Sequence, residues 1–136
     1  MLYAILCYND ESVITSWTKE EDDAVMGRLF QVHESLGAKL GTSVRLMPTT
    51  AATTLRKDRD PPVVLDGPFA ETKEQLLGFY LLDVPDLEAA LDACRDLARA
   101  NPGGAYEVRP ISLYLPRDLA GSETSPRQYA VKEPAS

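Results

Sequence analysis

The chain of 136 residues has only two cysteines and one histidine, too few thiol and imidazole ligands for a structural zinc site. Cys7 and Cys94 each sit in an apolar stretch and read as buried, reduced thiols. No run of 18 apolar residues occurs, so no helical membrane span is expected. Basic residues are scarce beside acidic ones, 14 Lys and Arg against 21 Asp and Glu, for a net charge of −7. No basic run is visible, which argues against a phosphate-binding groove and a direct nucleic-acid partner. Nucleophile elbows, zinc-protease motifs, P-loops and dinucleotide fingerprints are missing, so no cofactor is expected. A basic leader is missing too. Met1 runs straight into an apolar segment that reads as a first strand, and the expected location is the cytoplasm.

What is present has a clear order. Residues 2–8 (LYAILCY) are apolar on both faces of a strand, which calls for cover on both sides. Thr18 to Glu21 form a capping box, and Glu20, Glu21, Asp22 and Asp23 favour the positive end of the helix that follows. Val25, Leu29, Val32 and Leu36 then fall on one stripe, and Gly37 suits the stop, which predicts a helix over 19–36. A second strand is predicted over 38–46, weakened by Gly41. Short strands at 53–57 and 63–65 flank a polar turn, and Asp66-Gly67-Pro68 is strong turn chemistry. Residues 78–84 form another strand with two apolar faces. Asp86 caps a second helix, in which Leu87, Ala90, Leu91, Cys94, Leu97 and Ala98 recur at helical spacing. The last strand, 106–115, contains Pro110, which belongs at a sheet edge or a bulge.

Two β-α-β halves with a hairpin insertion predict an α+β fold: a ferredoxin-like split βαβ sheet with two helices on one face. The other face is then bare, yet two strands are apolar on both sides. A lone copy would expose a large apolar patch, so a homodimer packed sheet to sheet, a dimeric α+β barrel, is expected. The domain is assigned to 1–115. Residues 116–136 are polar, contain three prolines and lack periodicity. They read as a tail or as an arm embracing the second copy. Their charges cancel (Arg117, Arg127 and Lys132 against Asp118, Glu123 and Glu133), so the acidity belongs to the domain.

Asp66 is the leading chemical candidate. It follows Val63-Val64-Leu65, where a strand end can set a carboxylate beside a sheltered cavity for acid–base work. The alternative is an Asx turn in which it accepts backbone N–H groups. Lys73 and Glu74, with Glu71 near by, either contact an anionic ligand or form a solvated, ion-paired loop. Arg109 offers a planar fork for a carboxylate, or a salt bridge to Asp66 or Glu107. Tyr8 and Tyr80 either point hydroxyls into a cavity or pack in the core. His33, at the edge of the first helix stripe, is expected as a half-buried packing residue.

The segment DGPFAETKEQLLGF at 66–79, with ATTLR at 52–56, GFYLLDVPDLEAAL at 78–91 and YEVRPI at 106–111, resembles the DGPF family of the YCII-related superfamily. The resemblance covers roughly residues 1–115. It implies a ferredoxin-like, dimeric α+β barrel, and because members of that family often lie near genes for extracytoplasmic-function sigma factors it suggests a regulatory link to them. YCII-related proteins are also credited with a catalytic pair, a histidine on the first helix and an aspartate near the Gly-Pro motif. Asp66 matches the aspartate. The matching helix position here is near Met26 or Gly27, so His33 does not align with the histidine.

Two functions follow as expectations. One is a cofactor-free enzyme for proton transfer, isomerisation or elimination of a small molecule, with Asp66 as acid or base. The other is a non-catalytic ligand-binding or regulatory accessory protein.

Overall fold

The two segments with two apolar faces become the two central strands of one sheet. β1 (Leu2–Asn9) lies beside β5 (Gln75–Asp83), with β2 (Leu40–Arg45) and β6 (Ala105–Pro110) outside them in the order β2-β5-β1-β6. Every neighbouring pair is antiparallel. This is the ferredoxin-like split βαβ arrangement. The computed structural model describes residues 1–119. The segment 116–119 has no regular structure, and the rest of the expected tail or arm lies outside the described residues.

Three helices connect the strands. The short α1 (Glu11–Thr15) is absent from the sequence reading, because five residues are too few for a periodic stripe. Asp10 caps it, accepting from Ser12 N–H at 2.9 Å and from the Ser12 hydroxyl at 2.7 Å. α2 (Lys19–Leu36) begins where the capping box requires, with Glu21 N–H donating to Thr18 Oγ1 at 3.1 Å, and stops at Gly37 with φ +56°. α3 (Leu87–Ala100) is capped by Asp86, which accepts from Ala89 N–H at 2.9 Å. Neither α2 nor any other helix among the described residues is long and apolar enough to cross a membrane.

Both long helices lie on the same sheet face. Tyr3 and Ile5 of β1 and Leu82 of β5 meet Ala90, Ala93 and Cys94 of α3. Val25 and Leu29 of α2 meet Leu97 and Ala100 of α3 in a second cluster. Small residues on α3 let its backbone lie close to the sheet. The most enclosed side chains are Ile5, Leu82 and Leu97. Burying each stabilises the fold by about 1.5–3 kcal/mol.

Strand ends shift where backbone chemistry intervenes. The last strand stops at Pro110, short of the predicted 115, although Ile111 N–H still reaches Leu2 O at 2.9 Å. β6 is an edge strand, where the proline costs no ladder hydrogen bond. β2 is shorter than predicted and carries an irregularity between Leu40 and Ser43, around Gly41. A second irregularity lies where β1 passes from Cys7 to Tyr8, leaving Leu77 of β5 unpaired with it. Gly78 has no substitute: a Cβ there would stand 2.1 Å from Val44 O.

β3 (Thr53–Arg56) and β4 (Val63–Asp66) form a separate two-stranded sheet. Gly67, with φ +101°, turns the chain out of it and donates its N–H to Ala52 O at 2.8 Å.

Candidate functional site

The candidate residues occupy three places. Asp66 ends β4 at the base of the hairpin, with its carboxylate exposed. Among the described residues, the turn after it is held by Gly67 N–H to Ala52 O and by Thr54 Oγ1 to Gly67 O, at 2.8 Å each, and not through the Asp66 carboxylate. Lys73 and Glu74 lie in the exposed loop that returns to β5. The Thr72 hydroxyl donates to Glu74 O. Asp10 lies near enough to feel Lys73: its carboxyl is held below the usual carboxylate range first by the Ser12 hydroxyl and N–H, and then by that ammonium.

A polar clamp that the sequence reading missed ties this loop and the β2–β3 connection to the end of the sheet. The Glu11 carboxylate accepts from Thr49 N–H at 2.9 Å and from the Thr49 hydroxyl. Glu11 N–H donates to Gln75 Oε1 at 2.9 Å, and Gln75 Nε2 donates to Thr72 O at 2.6 Å. Hydrogen bonds to a carboxylate are stronger than neutral ones, roughly 1.5–3 kcal/mol each. Glu11 and Thr49 are 38 residues apart, and local periodicity carries no signal of such a pair.

Tyr80 stands in the second place, between the sheet and the helices. Its register opposite Ile5 puts it on the covered face. Its ring meets the edge of His33 at 5.5 Å, and His33 meets Phe30 at 5.9 Å. His33 Nε2 is buried without a hydrogen-bond partner among the described residues. Burial lowers the histidine below its ordinary value. The same burial pushes Tyr80 up to about 12, Cys7 up to about 12 and Cys94 up to about 11, and raises Tyr106 as well. Burial in this layer thus disfavours the charged form of each of these groups.

Arg109 and Tyr8 are in the third place, on the sheet face away from the helices. Arg109 pairs with Ala4, and Tyr8 with Ala105, in the β1–β6 register. Arg109 is exposed and its guanidinium holds Glu107 on the same strand, one of the two intrachain partners expected for it. Tyr8 and Tyr80 thus face opposite sides of one sheet.

One chain does not bring the three sets together. A shallow groove of about 480 Å³ between α2 and α3 is lined by Arg28, Asp96 and Arg99, among others. A second, of about 730 Å³, lies along Tyr114–Asp118. Neither contains a candidate residue. Arg28 is occupied structurally, its Nε donating to Ala100 O at the end of α3 at 3.0 Å. Among the described residues, no group of three or more His, Cys, Asp and Glu side chains is placed to hold a metal ion.

A profile of the YCII-related domain matches residues 1–114. Over 122 residues the chain is 59% identical to an uncharacterised protein of Rhizobium meliloti (strain 1021), a match spanning 88% of this chain and 98% of that protein.

Proposed function

This chain belongs to the YCII-related domain family, and from that premise we propose that it works in the cytoplasm as a homodimeric, ligand-binding accessory protein of the DGPF type. Two copies pack sheet to sheet as an α+β barrel, and a small molecule with an anionic group binds at the dimer, where Lys73, Glu74 and Arg109, which one chain keeps apart, are supplied by the two copies together. The observation that carries this reading is the separation of the charged candidates within one chain, with Asp66, Lys73 and Glu74 at the hairpin base and the loop after it and Arg109 on the open sheet face. Binding through exposed charge needs no matched acid and base, whereas catalysis does. The resemblance to DGPF proteins supports a regulatory role beside sigma-factor-dependent transcription. A thermal-shift screen of small carboxylates and phosphates tests the binding. A rise in melting temperature that disappears in Lys73→Ala and Arg109→Ala supports it, and no rise with any of them refutes it.

The enzyme reading has one observation in its favour. The Asp66 carboxylate ends a strand without a hydrogen-bond partner among the described residues, in the same loop region as Lys73. It would serve as the acid or base of a cofactor-free proton transfer, isomerisation or elimination. Turnover of any ligand from the screen, abolished in Asp66→Asn with binding retained, would establish it.

A further inference from the structure

We propose that two copies stack their open faces about a two-fold axis running across the strands, so that each Arg109 forms one site for a small anion with the partner's Tyr8 and the partner's Lys73. The inference rests on the homodimer reading above and deepens it: it sets the register of the two sheets and says which copy supplies each residue.

Cross-strand neighbours share a face, so the ladders sort the open face into rows that run across the strands. The central row is Val44, Phe79, Leu6 and Glu107, in the order β2-β5-β1-β6. On one side of it Leu81, Ala4 and Arg109 make a second row. On the other side Leu76, Tyr8 and Ala105 make a third. None of these side chains joins either core cluster.

An axis along the central row turns the second row of one copy onto the third row of the other. Ala4 then meets the partner's Tyr8, and Arg109 meets the partner's Ala105. The two bulkiest side chains of the outer rows, Tyr8 and Arg109, each find an alanine, as interdigitating sheets require. An axis along the strands sets Tyr8 against the partner's Leu76 instead, large on large. The charged rim is balanced as well. The axis brings the two Glu107 carboxylates together, and each is already held by the Arg109 of its own chain, one row away. Two guanidiniums flank two carboxylates, and the five N–H donors of each arginine leave room for a further acceptor.

The third row lies at the start of β5, and Lys73 is in the loop just before that strand. The same axis carries the partner's Lys73 to the end of the sheet where Arg109 stands. A guanidinium from one copy meets an ammonium and a phenol hydroxyl from the other. All three donate hydrogen bonds and two are cationic, which suits a small carboxylate or phosphate. Two-fold symmetry makes the site twice.

The register is tested by sedimentation of the full chain over a concentration series, with folding checked by circular dichroism. Ala4→Phe crowds the partner's Tyr8, and Tyr8→Ala empties that place. Each is expected to weaken the dimer about 10-fold. Together they conserve volume across the interface and restore it to within about threefold of the native chain. Within one chain the two residues are two strand repeats apart, roughly 13 Å, too far to couple, so rescue reports contact between copies. The site is tested by equilibrium dialysis with inorganic phosphate. Arg109→Ala and Lys73→Ala dimers are each expected to lose binding. Mixing the two and letting subunits exchange gives mixed dimers with one intact site, and about a quarter of the native capacity returns. A site built within one chain would regain none. A native chain that stays monomeric overturns the homodimer reading and this register with it. A dimer in which the two size changes merely add overturns the register alone. Mixed chains that regain nothing, or a native dimer that takes up no phosphate, overturn the shared anion site.

Discussion

Leu81 and Leu82 are neighbours on β5 and chemically identical, yet they belong to different regions of the molecule. Leu82 is 0% exposed and sits in the core under α3. Leu81 pairs with Ala4 on the other face, is half-buried, and joins neither core cluster. The covered face is completed within one chain by two helices. The open face also carries apolar side chains, among them Leu6, Phe79 and Leu81, and no helix among the described residues roofs it. The apolar alternation of a strand therefore specifies that a face must be covered and leaves undecided what covers it.

The sharpest way to break this comparison is to truncate both leucines. Leu82→Ala is expected to cost about 2–5 kcal/mol of unfolding free energy in urea titration. Leu81→Ala should cost less, about 1–2 kcal/mol in dilute solution, because the side chain is only partly buried and its loss leaves no enclosed cavity. At concentrations where two copies associate, the Leu81→Ala loss should grow with protein concentration, as linkage requires, while the Leu82→Ala loss should not. Equal losses at all concentrations would mean that the open face is covered within one chain.

Gly78 probes the sheet between the two faces. Gly78→Ala brings a methyl group into Val44 O and is expected to cost about 3 kcal/mol, with amide exchange accelerating first in β2. Smaller effects follow from the helices that roof the covered face. Thr18→Ala and Asp86→Ala each remove a side-chain cap and should lower stability by about 1 kcal/mol, additively, since they cap different helices. The smallest expected effect is the pH dependence from His33. Burial lowers its folded pKa below the unfolded value, so the unfolded chain binds the proton more readily. The stability from this group is complete above about pH 6.5 and is lost as pH falls through the folded pKa. His33→Phe should flatten that part of a pH series of melting temperatures.

The legible parts of the fold are those with local causes. The capping box at Thr18, the stop at Gly37 and the cap at Asp86 act within one helical turn, and all three helix boundaries agree with the structure. Pro110 pointed to an edge because a missing donor is a property of the residue itself, and β6 is an edge strand. Gly41 likewise weakened the second strand, which is irregular there. α1 was too short to read. The clamp of Glu11 on Thr49 and of Glu11 on Gln75 joins residues 38 and 64 positions apart. Nothing in the local pattern links them, because the contact exists only once the sheet has formed.

The candidate site shows the same division. That Asp66, Lys73 and Arg109 are charged and sit beside turns or strand ends is a matter of sequence. Arg109 was expected to salt-bridge either Asp66 or Glu107, and within one chain it holds Glu107. By itself the sequence determined the order of the strands and the two long helices, the two central strands with two apolar faces, the caps of those helices and the acidic net charge, since each depends on residue type and short-range spacing. Only the tertiary structure decided which sheet face the helices cover, that Tyr8 and Tyr80 look opposite ways, and that the hairpin stands as a separate small sheet with Leu55 and Val64 in water. Those outcomes depend on strand register and on how distant segments divide one apolar surface between them, and side-chain alternation constrains such a division without choosing it.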